Sequence, residues 1–239
     1  MKAPANKQHG FVLVTAMVFL LVLAFLGVMA LRGSFFEAKI AGNTADQAIA
    51  KEYAEMALRD AERDILGLRF DGQFCAAAGC NPLRPDGTRP KSAADANFWG
   101  IETATNPEAA FADGGRSQAA QFQGVYNWES AQACGKPVWS GADWLDAANP
   151  ARTCDNIIGA PVPTIAYGTF TQAPFIGPDG NAPQGVPPPR YIIEVFPAAA
   201  LMKSSSQKVF FRITAVGFGK TIGPTGRTSV TLQSIFSPV

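Results

Sequence analysis

From Phe11 to Leu31 the chain is apolar almost without interruption; only Thr15 and Gly27 break the run, and neither carries charge. At about 1.5 Å per residue, a helix of that length crosses the roughly 30 Å hydrocarbon core of a bilayer. Beyond Leu31 the apolar positions thin to a stripe. Ala54, Leu58, Ala61, Ile65 and Leu68 recur at four- and three-residue steps, the period of one helix face. Lys51, Glu52, Glu55, Arg59, Glu62 and Arg63 fill the other faces and read as a solvated surface with i,i+4 support. Run and stripe together predict one helix from about Phe11 to Leu68, about 85 Å long by the helical rise. Gly27, Gly33 and Gly42 weaken it, each by about 1 kcal/mol relative to Ala. Either simple tolerance and close helix packing, or a segment built to unwind, accounts for them.

From Arg190 the period changes from that of a helix to that of a strand. Tyr191, Ile193 and Val195 alternate with Ile192, Glu194 and Phe196. Val209, Phe211, Ile213 and Ala215 alternate with Phe210, Arg212, Thr214 and Val216, and Val230 and Leu232 with Thr231 and Gln233. Separated by Lys203 to Ser206 and by Gly217 to Gly226, these runs predict an antiparallel meander that buries one face on the helix stripe. Between helix and sheet, residues 71–189 are rich in breakers: Asp86-Gly87, Gly114-Gly115, Pro178-Asp179-Gly180-Asn181 and Pro187-Pro188-Pro189. Trp99, Trp128, Trp139, Trp144, Tyr126 and Phe122 lie there, and are better read as anchors of an irregular core than as a partner surface.

What precedes the apolar run is short and basic, with Lys2, Lys7 and His9 before Gly10. A secretory signal peptide has an apolar core of about 7–15 residues and a small-x-small cleavage site. This run is longer, and charged helix (Arg32, Glu37, Lys39) follows it instead of a cleavage site. An ordinary single-span anchor would account for the length, with Lys2 and Lys7 holding the N-terminus in the cytoplasm. The pattern of basic stretch, Gly10, Phe11 and span fits better a class III leader, cut on the cytoplasmic side before the helix.

Charge and composition narrow the function by exclusion. The net charge of +1 gives no global pull toward nucleic acid or acidic substrates. All four cysteines, Cys75, Cys80, Cys134 and Cys154, follow the span and would lie in an oxidising compartment, where an even count reads as two disulfides. Cys75–Cys80 and Cys134–Cys154 are the favoured pairings because each closes a short local loop. Zinc is a poor alternative: the spacings are not C-x-x-C, and the single His, His9, stands before the span. No catalytic triad, phosphate loop or dinucleotide fingerprint is present, so neither an enzyme nor a cofactor is expected. Asp71-Gly72 and Asp179-Gly180-Asn181 lack the ligand pattern of a calcium loop and read as turns. Asp143 and Asp146 beside Trp144 read as ordinary surface residues.

Two N-terminal segments carry a resemblance. Arg32-Gly33-Ser34-Phe35-Phe36-Glu37-Ala38-Lys39-Ile40-Ala41-Gly42-Asn43 leads toward Ala54-Glu55-Met56-Ala57-Leu58-Arg59-Asp60-Ala61-Glu62-Arg63. Together they resemble the start of PilX-type minor pilins of type IV pili. There a Glu-x-Lys-x-Ala-Gly-Asn segment follows the span and an Ala-Glu-x-Ala-Leu-Arg-Asp-x-Glu segment follows that. Phe211 to Gly217 and Val230 to Ser234 are similar to that family's final strands. Roughly residues 70–185 carry no motif by which a family can be named.

The resemblance implies an α+β, pilin-like fold: a long N-terminal helix, half transmembrane and half amphipathic, on a C-terminal antiparallel sheet with a loop-rich, disulfide-bearing middle. The corresponding segments are a cleaved leader at 1–10, the span at 11–31, the amphipathic helix at 32–70, the variable region at 71–189 and the sheet at 190–239. It also implies cleavage between Gly10 and Phe11 by prepilin peptidase, followed by methylation of the new amine. Major pilins of this superfamily carry Glu at the fifth position of the mature helix, where this chain has Thr15. That carboxylate is thought to pair with a neighbouring subunit's terminal amine, which a hydroxyl cannot do. PilX-type minor pilins and the K-type pseudopilins of type II secretion share the absence, which points to a tip or initiation role.

The expected partners are other minor pilins, the major pilin, the inner-membrane assembly platform and, as a further candidate, a large tip adhesin. The expected location is the inner membrane, N-terminus cytoplasmic and C-terminal domain periplasmic, and then the extracellular pilus. A minor pseudopilin of type II secretion is the main alternative, and a plain bitopic envelope protein the second.

Overall fold

The computed structural model describes residues 11–73, 123–127, 137–142, 144–145, 164–177, 180–197, 209–223 and 226–237. The chain divides into two units, residues 1–45 and 46–239. In order come a helix α1 (Phe11–Leu66), strands β1 (Val125–Asn127) and β2 (Ile165–Ala166), and then β3 (Arg190–Pro197), β4 (Val209–Gly223) and β5 (Gly226–Phe236). A 3-10 turn at Val138–Gly141 lies between β1 and β2.

In the first unit, residues 11–45 of α1 are exposed along their whole length. The helix is long and apolar enough to cross a membrane, with a mean hydropathy of 2.9 in its most apolar window. No proline falls between Phe11 and Leu66 to interrupt it. It stops short of the expected Leu68 because Gly67 takes a positive φ of 71°. The amides of Gly67 and Leu68 then turn back to donate to Asp64 O (3.1 Å) and Arg63 O (2.8 Å), closing the helix with a Schellman cap.

In the second unit, α1 from Asp46 onward packs on one face of the sheet. The stripe that meets the sheet is Ala50, Tyr53, Ala54, Ala57, Ala61 and Ile65; the expected Leu58 is only half-buried at its flank. These side chains join Val125, Ile165, Phe170, Tyr191, Ile193, Val195, Phe211, Ile213 and Ala215 in the main core. Small alanines let the helix backbone approach the sheet closely, and Gly217 is where it does so. A Cβ there would stand 2.0 Å from Ala50 O and 2.3 Å from Ala54 N. The reading of Gly217 to Gly226 as an inter-strand break is therefore corrected. β4 runs through Gly217 and Gly219 to Gly223, and its glycine marks a contact with the helix, not a turn.

The sheet order is β1-β3-β4-β5, with β2 pairing β3 off that path. The meander β3–β4–β5 is antiparallel, as expected, with Ile193 opposite Ile213 and Ala215 opposite Leu232. β1 pairs with β3 in parallel, so the sheet is mixed and not purely antiparallel. Two of its strands come from residues expected to be loop; at three and two residues they are too short for a period to register. One face packs on the helix as expected, and the opposite face is buried as well. Ile192 is as fully buried as Ile193, because Tyr126, Val138, Ala142, Trp139 and Trp144 cover the side away from the helix. Tyr126, Trp139 and Trp144 thus take the core role expected of them, and the Trp144 indole N–H donates to Trp139 O at 3.2 Å. Trp99, Trp128 and Phe122 lie outside the described residues.

Candidate functional site

Thr15 lies one turn into α1. Its hydroxyl turns back to Phe11 O (3.1 Å) and Val12 O (3.0 Å), the backbone bond a helical Thr makes when it has no other partner. Phe11, the first described residue, begins the helix. Gly10 lies outside the described residues, as do Cys75, Cys80, Cys134 and Cys154 and the two aspartates Asp143 and Asp146.

The second unit is tied to α1 by three carboxylates that point into the protein. The first, Asp46, accepts from the amides of Lys220 (2.6 Å) and Thr221 (3.1 Å) where the β4–β5 register shifts between Phe218 and Ile222. Burial pushes its carboxyl up. The Lys220 amide, the Thr228 hydroxyl and the Thr221 amide and hydroxyl outweigh that, and hold it below the usual carboxylate value. Asp60, wholly buried, accepts from the Gly168 amide at 2.8 Å and from the Thr171 hydroxyl. Here burial wins. Its carboxyl is pushed up to about 6, aided by the charge of Asp64 and opposed by Thr171, Gly168 and Arg63. Asp64, also wholly buried, accepts from the Tyr191 hydroxyl at 2.9 Å. Tyr167, near Asp60, is raised first by burial and then by that carboxylate.

A fourth buried acid sits on the far face of the sheet. Glu194 of β3 has no exposure and lies opposite Arg212 of β4. Arg212 grips it with two hydrogen bonds, Nε to Oε2 at 2.7 Å and Nη2 to Oε1 at 2.6 Å, and its Cζ stands 5.0 Å from the centre of the Phe196 ring. The hydrogen bonds that Arg212 donates to Glu194 raise the guanidinium above its ordinary value.

These groups join elements of the described residues. A shallow cleft lined by Leu145, Val186, Pro187, Ile222 and Arg227 is mostly apolar. Its one charged group, Arg227, donates to Gly185 O (2.8 Å) and Gly219 O (2.9 Å). Among the described residues no three His, Cys, Asp or Glu side chains come together as metal ligands. Asp71 accepts from the Gln73 amide at 3.1 Å, the turn chemistry expected of Asp71-Gly72. The sequence reading did not single out Asp46, Asp60, Asp64 or Glu194 as buried. The signal was there for three of them. Asp46, Asp60 and Asp64 fall in step with Ala50, Ala57 and Ala61, on the apolar stripe and not across from it.

The described residues combine an exposed apolar half-helix, long and apolar enough to cross a membrane, with a second half bound by buried carboxylates to the C-terminal region. The chain matches the family described as PilX N-terminal over residues 9–59 and that described as type IV pilus assembly protein PilX C-term over residues 74–238. It belongs to the PilX family of type IV pilus assembly proteins, and the fold is α+β and pilin-like. No curated protein and no solved structure matches the chain. The family supports the pilus reading over the type II secretion alternative, and its members are structural proteins of pilus assembly.

Proposed function

We propose that the chain is a non-enzymatic minor pilin that enters the type IV pilus in a single position, at the priming tip, with other subunits added beneath it. The observation that carries this reading is Thr15. Its hydroxyl is satisfied inside its own helix, at 3.1 and 3.0 Å from two carbonyls. Residues 11–31 hold no carboxylate, which in an apolar bundle would cost several kcal/mol unless a neighbour's amine paired it. A subunit without that pairing group is suited to be met from one side only. Prepilin peptidase cuts between Gly10 and Phe11, the Phe11 amine is methylated, and the protein waits in the inner membrane with its C-terminal domain in the periplasm. Its partners are other minor pilins, the major pilin, the assembly platform and a tip adhesin.

The test is in piliated cells. Deleting the chain should sharply reduce surface pili, whereas Thr15→Val should leave piliation nearly unchanged. Immunogold should label one filament end, and the mature protein should begin at Phe11. Regular labelling along the shaft, or lost piliation in Thr15→Val, would show the tip reading to be wrong.

A further inference from the structure

Among the described residues β5 ends the sheet, with no strand paired to one side of its backbone. The direction of each backbone group follows from one hydrogen bond. The Ile193 amide donates to Gly124 O at 2.9 Å, toward β1. Successive residues of a strand aim their N–H and C=O groups to opposite sides, so those of Ile192 and Glu194 face β4. The register then carries the alternation across the sheet: Ile192 stands opposite Thr214, Ile213 opposite Ser234 and Ala215 opposite Leu232. Val230, Leu232, Ser234 and Phe236 therefore bond back to β4. Ser229, Thr231, Gln233 and Ile235 aim their backbone groups away from it, and among the described residues no strand lies beyond.

Natural proteins guard such an edge with charge, proline or brevity. The interior strands carry those residues: Arg190, Glu194 and Pro197 in β3, Arg212 and Lys220 in β4. From Thr228 to Phe236 the edge strand has none, and its one charge, Arg227, is turned back onto the carbonyls of Gly185 and Gly219. The core also stops unfinished at β5. Ile213 and Ala215 of β4 have no exposure, whereas Val230, Leu232 and Phe236 on the same face are only half-buried, with Phe236 packed against the main cluster. On the opposite face Ile235 is 72% exposed.

We propose that β5 receives an extended segment of a different polypeptide as a further strand, paired to the backbone of Ser229, Thr231, Gln233 and Ile235. The incoming segment has apolar side chains at alternate positions, which continue the row of Val230, Leu232 and Phe236 over the core. Main-chain bonds supply the affinity and the alternating side chains the register. That the donor is another protein and not a second copy rests on the single-position role proposed above.

A photo-reactive residue at position 231 or 233 of the full-length protein, irradiated in cells assembling pili, tests this. One adduct with a different protein is expected, mapping to an extended stretch of it. Thr231→Pro removes an outward donor and leaves the bonds to β4, so with the photo-reactive residue at 233 it should cut the adduct at least tenfold while the domain stays protease-resistant. Leu232→Pro, which breaks an inward bond, should unfold the domain. Where Thr231→Pro itself lowers protease resistance, Thr231→Lys takes its place as an edge guard and should give the same loss. Adducts with a second copy or within the chain, or no adduct, would overturn the proposal. If pili still depend on the chain in that case, the assembly role stands and only the strand pairing fails.

Discussion

At the scale of single residues, buried carboxylates decide how this protein responds to pH. Asp60 has no exposure and its carboxyl is raised, chiefly by burial, to about 6. An unfolded Asp titrates near 4, so between about pH 4 and 6 the folded chain holds a proton that the unfolded chain has lost. Asp60's contribution is therefore greatest at acid pH and is lost as pH rises through that window, by roughly 1–3 kcal/mol. Asp46 works in the opposite sense. Its carboxyl is lowered, so its contribution is present above the usual carboxylate value and lost as pH falls below it. The expected outcome is a higher urea midpoint for the detergent-solubilised protein at pH 5 than at pH 7.5, and a much smaller difference in Asp60→Asn. An unchanged difference in that variant would acquit Asp60.

Between elements, charge pairing and close approach set the stability. Arg212→Met would leave Glu194 buried with its charge unpaired, at a cost of about 3 kcal/mol or more. Removing both charges with Glu194→Leu and Arg212→Met should cost less than the single change, which a double-mutant cycle of denaturant midpoints reads directly. Gly217→Ala puts a methyl group 2.0 Å from Ala50 O, so β4 and α1 must part. We expect about 2–4 kcal/mol of destabilisation, seen as a lower melting temperature, against less than about 1 kcal/mol for Gly223→Ala, whose Cβ would meet only Gly226 O at 3.7 Å. These two positions also show where the sequence was legible. The long helix and the three long strands announce themselves by period, because each repeats its pattern several times. Gly217 reads as a breaker until the helix backbone is seen above it. Glu194 in the apolar run of β3 gives no hint of its partner, since the register that puts Arg212 opposite is a tertiary fact.

For the whole molecule, the compartment is the testable matter. A domain outside the cytoplasm with four cysteines should carry two disulfides and no free thiol, and a loop closed by Cys134–Cys154 would contribute roughly 3 kcal/mol. Thiol labelling of denatured, unreduced protein should give no signal; labelling at all four positions would remove both the disulfides and the periplasmic assignment. The candidate site was only half readable from sequence. Thr15 and the Gly10–Phe11 junction stand in plain order beside the apolar run. The bonds that hold helix to sheet join distant parts of the chain, and no local pattern encodes them.

That distance has a consequence in time. Asp46 finds Lys220 across a separation of 174 residues, Asp64 finds Tyr191 across 127 and Asp60 finds Thr171 across 111. Contacts so remote in sequence close slowly, and the chain is made from its N-terminal end. The lower helix is therefore finished long before anything exists to cover it. A bare stripe of Ala50, Tyr53, Ala54, Ala57, Ala61 and Ile65 would be drawn to the bilayer surface beside it. Three carboxylates on that same face oppose this, because leaving water without partners is costly. The groups that later lock the fold would first keep the waiting helix in water, until Thr171, then Tyr191, then Lys220 arrive in turn to receive Asp60, Asp64 and Asp46.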